Sequence, residues 1–262
     1  MADTSQSQKA SEGAAQIQAG GNVNITVGLS YADVKAMIAE EREKIVQQVW
    51  ERAQQMLRDA GVQPGPLAMK TLVPLLQYAS LEEDAYLQER WAALLANSAH
   101  PEQGAHVQPS FPDILRQLSS PDAKFLDAIY GFVLESHRRH FGPNSPLDAN
   151  RVQHQPISWP DSTLPDLFAK AGLANVAPSE LYTSNPPESH ADLIRKDQSA
   201  MAVSLDNLRR LGLGAHRQNS KIERRPRSLD EPKLKQESEY HLTALGFEFV
   251  TACRRPKKAE PK

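Results

Sequence analysis

The chain has 262 residues, and its apolar share of 40% with 19 prolines predicts one or two packed domains joined by irregular segments. The single cysteine excludes an internal disulfide and zinc sites built from paired thiolates, and there is no apolar run long enough for a transmembrane helix. The net charge of −2 divides into −9 for residues 1–194 and +7 from Arg195 onward.

This composition predicts a protein of a reducing compartment. The N-terminus has neither the apolar core of a secretion signal nor the Arg-rich pattern of an organelle signal. We therefore expect a cytoplasmic protein without membrane contact. The basic C-terminal part can serve as an electrostatic footprint for nucleic acid, or it can be a solvated surface.

The first sixty residues predict a leader, a strand and a long helix. Residues 1–19 are too poor in apolar groups to fold, so we predict a disordered leader. Residues 20–62 begin with alternating Val23, Ile25 and Val27, the period of a strand with one apolar face. A lone strand needs a partner, and another copy of the chain is one candidate, which makes a homo-oligomer the expectation. The alternative is that the helix packs only on the next domain.

The stretch SLEEDAYLQERWAALLANSA raises the possibility of an acidic catalytic cluster. Its spacing favours a capped helix instead, with Ser80 as N-cap, Glu83 completing a capping box, and Glu82 and Asp84 complementing the helix dipole. The apolar face of this helix consists of Leu87, Trp91, Leu94 and Leu95. Further helix starts are predicted at Ser110 and at Ser119, within a helical region at 64–140.

This region resembles the abortive infection alpha family, a family found in bacterial anti-phage proteins. The resemblance runs from Pro66 to Val133 and departs from the family pattern at Gln108 and at the extra Ser120. The residues that carry it are Trp91, Ala92, Leu94, Leu95, Ala96, Asn97, Pro109, Phe111, Ile114, Leu115, Gln117, Leu118, Ser119, Asp122, Ala123, Lys124 and Leu126. The resemblance implies a role in phage defence but supplies no catalytic residues.

The second half of the chain predicts a connection followed by an α+β part. Residues 141–190 read as an irregular connection with one short helix, 191–255 as helix, charged two-stranded ribbon and last helix, and 256–262 as a basic tail. The runs LDNLRRLGL and YHLTALGFEFV are similar to the recognition helix and wing of a winged-helix domain. Such a domain contacts DNA through that helix and the wing.

Seven basic residues of this part are candidates for phosphate contact, although winged helices also bind proteins. They are Arg209, Arg210, Arg217, Lys221, Arg224, Arg225 and Arg227.

The sequence contains none of the common catalytic motifs: no phosphate-binding loop, no dinucleotide fingerprint, no HExxH and no GxSxG. Cys253 lies among apolar residues and is expected to be buried. His137 and His140 have a spacing that suits a metal, but two arginines separate them, and Pro232 argues against a nuclease strand around Glu231. We expect no catalytic residues, no metal and no cofactor.

The predicted fold is mainly α, with an N-terminal β-strand and long amphipathic helix, a helical domain, and a winged-helix-like α+β C-terminal part. The leading functional hypothesis is a non-enzymatic anti-phage protein that acts through contacts with an unknown protein partner or phage trigger. The alternatives are a winged-helix DNA-binding regulator and a nuclease whose site the sequence does not reveal.

Overall fold

The computed structural model describes residues 31–177, 191–223 and 233–258. Its described part is mainly helical, with one small antiparallel sheet near the C-terminus, so the predicted fold class is confirmed. The helices are α1 Tyr31–Ala60, α2 Met69–Ala79, α3 Ala85–Ala99, α4 Phe111–Leu115, α5 Ser120–Phe141, α6 Ala149–His154, α7 Leu164–Lys170, α8 Ala191–Arg210 and α9 Ala244–Ala252. The strands are β1 Ser158–Pro160, β2 Gly214–Glu223 and β3 Lys233–Leu242, and two short 3₁₀ turns cover Gly104–His106 and Asp161–Thr163.

The C-terminal half of helix α1 packs in the core, and its N-terminal half is largely exposed. Its C-terminal half buries a stripe that includes Ile45, Val49 and Met56 and packs on α3. The same stripe continues toward the N-terminus, but Tyr31 is 83% exposed and Ile38 is 44% exposed. The amphipathic helix predicted from periodicity is present, and its first turns extend beyond the body of the described chain.

The predicted cap of the Trp91 helix is wrong. Helix α3 begins at Ala85, and Asp84 is its N-cap, because the Asp84 carboxylate accepts from the backbone N–H groups of Tyr86 and Leu87 at 2.9 and 3.0 Å. Ser80 instead ends α2, is 4% exposed, and donates its hydroxyl to the carbonyl of Gln77 at 2.7 Å. Both residue types suit an N-cap. Sequence spacing alone placed the helix start four residues too early.

The predicted start of α5 is confirmed. Ser119 accepts from the backbone N–H of Asp122 at 3.3 Å, and the Asp122 carboxylate accepts from the backbone N–H of Ser119 at 3.1 Å, which completes a capping box. The shorter helix α4 also lies where it was predicted, after Ser110, but without a side-chain cap.

The segment 141–190, predicted to be mainly irregular, contains more structure than expected. Besides the predicted short helix α7, it contains α6 and strand β1, which the sequence analysis missed. Strand β1 is only three residues long, and it pairs with β3 through Trp159 opposite Tyr240. A strand this short has too little alternation to be recognised without its partner.

The sheet has the order β1-β3-β2, and both pairings are antiparallel. Strands β2 and β3 form the predicted charged ribbon directly after α8, whose end at Gly212 has φ +73°. Thr243 then caps α9, accepting from the N–H of Gly246 at 2.9 Å.

One apolar core joins the N-terminal and C-terminal elements. Phe111 of α4 packs edge-on against Phe249 of α9 with ring centroids 5.5 Å apart, and Phe125 of α5 meets Phe168 of α7 in the same way at 5.4 Å. Trp91 lies in this core with 0% exposure. Burial of large aromatic side chains dominates such packing, so α9 is an integral part of the helical core.

Candidate functional site

The structure brings some of the predicted phosphate-binding residues to one end of α8 and the adjoining hairpin. Arg209 and Arg210 lie in the last turn of α8, while Arg217 and Lys221 lie on β2. The other three candidates, Arg224, Arg225 and Arg227, fall outside the described residues. Four of the seven can therefore be located, and the described part of the hairpin contains two of them.

The two arginines at the end of α8 already interact with other side chains of the same chain. Arg210 donates to the side-chain oxygens of Gln117 at 3.0 Å and Asn207 at 2.7 Å, which links α8 to the turn before α5. Arg209 forms an exposed ion pair with Asp206 at 3.4 Å. Such an exposed pair contributes little stability and exchanges readily with solvent or a phosphate, so Arg209 is the more available of the two.

Ionisable side chains surround the base of the hairpin. The His216 ring lies against Tyr240 with centroids 4.6 Å apart, and exposed Arg217 stands opposite Glu239 in the strand register. Burial, followed by the charge of Arg217, lowers the pKa of His241. Burial also raises the pKa of Tyr240. The described hairpin therefore carries charges of both signs.

Helix α3 carries the family-like motif and forms the junction between the two halves of the chain. Asn97, 2% exposed, donates its side-chain amide to the carbonyls of Ala252 at 2.7 Å and Arg254 at 2.6 Å. Those carbonyls belong to the end of α9 and the residues after it. The sequence analysis gave Asn97 only as one of the motif residues, and its position in the structure shows that it fixes the C-terminus of the core.

A polar cluster beside this junction was missed by the sequence analysis. The Asp127 carboxylate accepts from Arg90 at 2.5 Å and from the hydroxyl of Tyr86, and Arg254 approaches it at 3.4 Å. The guanidinium of Arg90 also lies 4.7 Å from the centre of the Tyr86 ring. Burial, together with the bond to Asp127, raises the pKa of the Tyr86 phenol. The spacing of Tyr86 and Arg90, one helical turn apart, was the available signal.

The acids and the thiol that were considered for catalysis take part in helix capping or lie buried in the fold. Asp84 caps α3, and Glu82 accepts from the Asp84 N–H at 3.1 Å while burial raises the pKa of its carboxyl. Cys253 is buried as predicted, and burial raises the pKa of its thiol well above the ordinary value. A thiol in such surroundings is a weak nucleophile.

His137 and His140 do not converge on one point. His140 shares a hydrogen bond between its Nδ1 and the carbonyl of Ser136 at 2.8 Å, whereas buried His137 lies against the Phe141 ring with centroids 4.8 Å apart. Across residues 31–177, 191–223 and 233–258, the structure contains no group of three or more His, Cys, Asp or Glu side chains placed to hold a metal ion.

Two further expectations concern assembly and membranes. Val23, Ile25 and Val27, the predicted self-association residues, lie outside the described residues. In the described part of the chain, no helix is both long enough and apolar enough to cross a bilayer.

Comparison with known proteins identifies one family. The family model described as abortive infection alpha matches residues 41–253, a far longer match than the Pro66–Val133 resemblance seen in the sequence. No curated protein matches the chain. No solved structure matches it either.

Proposed function

We propose that this chain, which belongs to the abortive infection alpha family, acts in anti-phage defence by binding a protein partner and not by catalysing a reaction. The family indicates abortive infection defence, in which an infected cell stops growing before phage are released. The mode of action is the part that we propose.

The observation that carries the proposal is the use of the motif side chains within the fold. Trp91 is wholly buried, Asn97 binds the carbonyls of Ala252 and Arg254, and Asp122 belongs to a capping box. Trp91 therefore belongs to the apolar core, Asn97 joins α3 to the end of α9, and Asp122 holds the start of α5. A scaffold that binds another protein needs a rigid core. Because the motif residues serve packing and capping, a protein partner would contact the exposed surface instead.

A plaque assay with a phage panel tests the defence role. Cells that express the chain should form fewer plaques, and a culture infected at low multiplicity should survive while one infected at high multiplicity collapses. Unchanged phage titres across a broad panel would overturn the proposal.

The non-enzymatic part has a separate test. The triple amide variant Glu82→Gln, Glu83→Gln and Asp84→Asn removes the acids first considered for catalysis and keeps an N-cap residue at 84. We expect protection equal to that of the unmodified chain. Loss of protection by a variant with an unchanged circular dichroism spectrum would favour an enzyme.

DNA binding is the second candidate function, and the order of elements favours it. Strand β1, helices α7 and α8, and the β2–β3 hairpin follow one another with β3 in the centre of the sheet. This is the arrangement expected of a winged helix, with α8 in the place of the recognition helix. Exposed Arg209 and Arg217 lie at its end and on the adjoining strand. The engagement of Arg210 with Gln117 reduces the number of free cations.

An electrophoretic mobility shift at several salt concentrations separates the two candidates. If all seven predicted basic residues met phosphates, the logarithm of the binding constant would fall by about 0.9 per contact for each log unit of salt. The variant Arg217→Ala should lower this slope, whereas Arg195→Ala, near the far end of α8 and paired with Asp192 at 2.8 Å, should not. A chain that ignores DNA at low salt excludes this function.

A further inference from the structure

A cleft of about 610 Å³ opens between α5, α6 and α9, beside the turn at 103–107. It is formed by elements from three distant parts of the chain. Apart from His137, which was considered for a metal site, none of its residues was singled out as a ligand site from the sequence. Its volume lies within the range of about 300–1,000 Å³ that is typical of small-molecule sites.

One side of the cleft is an apolar wall that contains aromatic rings. Tyr130 of α5 and Phe247 of α9 line it, with ring centroids 5.2 Å apart and a tilt of 32°. Leu134 and Leu147 continue the apolar lining. A ligand with a flat ring placed on this wall would be stabilised by burial of its apolar surface and by contact with the aromatic rings.

The charged groups of the cleft differ in how far they are already engaged. Asp148 accepts from the backbone N–H of Arg151 at 2.8 Å, and Glu248 accepts from the side chain of Gln108 at 2.7 Å. The exposed side chains of Arg138 and Lys257 also line the cleft, and neither side chain forms a hydrogen bond or ion pair with any residue that the structure describes. Each of the two carboxylates therefore already has a donor for one of its oxygens, whereas the two cationic side chains have no partner at all, and unpaired cations favour an anionic ligand.

Two buried polar atoms belong to residues that line the same cleft. Asn97 donates its amide to two carbonyls, and its Oδ1 has no donor among the described residues. His137 is 2% exposed, and its Nε2 also has no partner within the described chain. Buried polar atoms are almost always hydrogen-bonded, so each unpartnered atom requires an explanation. A polar group of a molecule bound in the cleft is one source of the missing partner.

We propose that this cleft binds a small organic anion that carries a flat, largely apolar ring. The ring would lie on the Tyr130 and Phe247 wall, and the anionic group would meet Arg138 and Lys257. Such a ligand would hold α5 and α9 together with the residues after α9. The inference concerns ligand binding and does not depend on the proposed partner-binding function.

Three probes separate the contributions of the ring and of the anion. Titration calorimetry of the full chain would use 1-naphthyl phosphate, which has both groups, 1-naphthol, which has only the ring, and inorganic phosphate, which has only the anion. We expect 1-naphthyl phosphate to bind at least about tenfold more tightly than either of the others, because only it engages wall and cations together.

Neighbouring residues provide a matched control for the cations. The double variant Arg138→Ala and Lys257→Ala should weaken 1-naphthyl phosphate at least about tenfold and leave 1-naphthol unchanged. The double variant Arg139→Ala and Lys258→Ala removes the same charge from positions outside the cleft lining and should change affinity less than about twofold. Equal weakening in both, no preference for 1-naphthyl phosphate, or no binding at all would overturn the proposal.

Discussion

Asn97 is the residue whose role changes most between sequence and structure. Its amide reaches two carbonyls that lie 155 and 157 positions further along the chain. The bond to Ala252 is buried, and the bond to Arg254 is partly buried. Removing a donor from such a position leaves carbonyls without partners and costs more than the bond itself contributes.

We predict that Asn97→Ala lowers the free energy of unfolding by about 1–3 kcal/mol, because two carbonyls lose their donor. The adjacent variant Ser98→Ala is the control. Ser98 donates only to the carbonyl of Leu94 within its own helix, so its loss should cost about 0.5 kcal/mol or less. Urea unfolding followed by circular dichroism measures both, and equal losses would contradict the role given to Asn97.

His241 makes stability depend on pH. It lies on the central strand β3, and burial and the charge of Arg217 lower its pKa below the ordinary value of about 6.5. Above that value the imidazole is neutral in both the folded and the unfolded state, and its contribution to stability is fully present. As the pH falls from about 6.5 toward the lower folded pKa, the unfolded state takes up a proton that the folded state does not, and stability is lost.

We therefore expect the unmodified chain to lose more stability between about pH 7.5 and 5.5 than the variant His241→Gln, which has no titrating ring. Thermal or urea unfolding across this range gives the comparison. Parallel pH profiles for the two proteins would show that His241 does not titrate in this way.

At the scale of elements, the contact of α9 with the turn after α8 is the tightest constraint. Thr243 donates its hydroxyl to the carbonyl of Gly212 at 2.6 Å, and one turn later Gly246 lies against Leu213. A Cβ at Gly246 would be 2.1 Å from the Leu213 carbonyl oxygen, which is backbone and cannot rotate away. Helix α9 and the base of the hairpin therefore fit together only with glycine at this position.

Two glycine substitutions should have opposite effects. Gly246→Ala should destabilise the protein by about 2 kcal/mol or more, because the backbone must shift. Gly131→Ala, inside α5 with no atom within 4 Å of the new Cβ, should stabilise it by about 0.5–1 kcal/mol through helix propensity. Thermal unfolding of the two variants should move their midpoints in opposite directions, and a shift of the same sign would contradict this packing.

At the scale of the whole molecule, the prediction concerns self-association of the chain. Val23, Ile25 and Val27 are expected to pair with another copy, and they precede the projecting turns of α1. Tyr31 and Ile38 continue the buried stripe of that helix but remain exposed in one chain. Apolar groups left exposed on a projecting helix favour association.

We predict that the full chain is an oligomer in solution and that a chain lacking residues 1–29 contains fewer subunits, with a mass close to that of one truncated chain. Light scattering coupled to size exclusion measures both proteins, and matching far-ultraviolet spectra would show that α1 remains folded. An unchanged number of subunits would assign residues 20–29 to the fold of a single subunit.

The sequence by itself determined the features that depend on neighbouring residues. The apolar stripe of α1, the capping box of Ser119 and Asp122, the Thr243 cap and the mainly helical fold follow from periodicity and from side chains within a few positions of each other. The family motif was also readable, because its residues are nearly contiguous.

Only the tertiary structure decided the features that depend on distant partners. Ser80 and Asp84 are both plausible caps in sequence, and the packing of α2 on α3 determines which one starts the helix. Strand β1 exists through its pairing with β3, and the carbonyls bound by Asn97 come from the end of the chain. The cleft has walls from three separate segments. Local patterns contain no information on which distant groups will meet, because burial and pairing are decided by the packing of the whole chain.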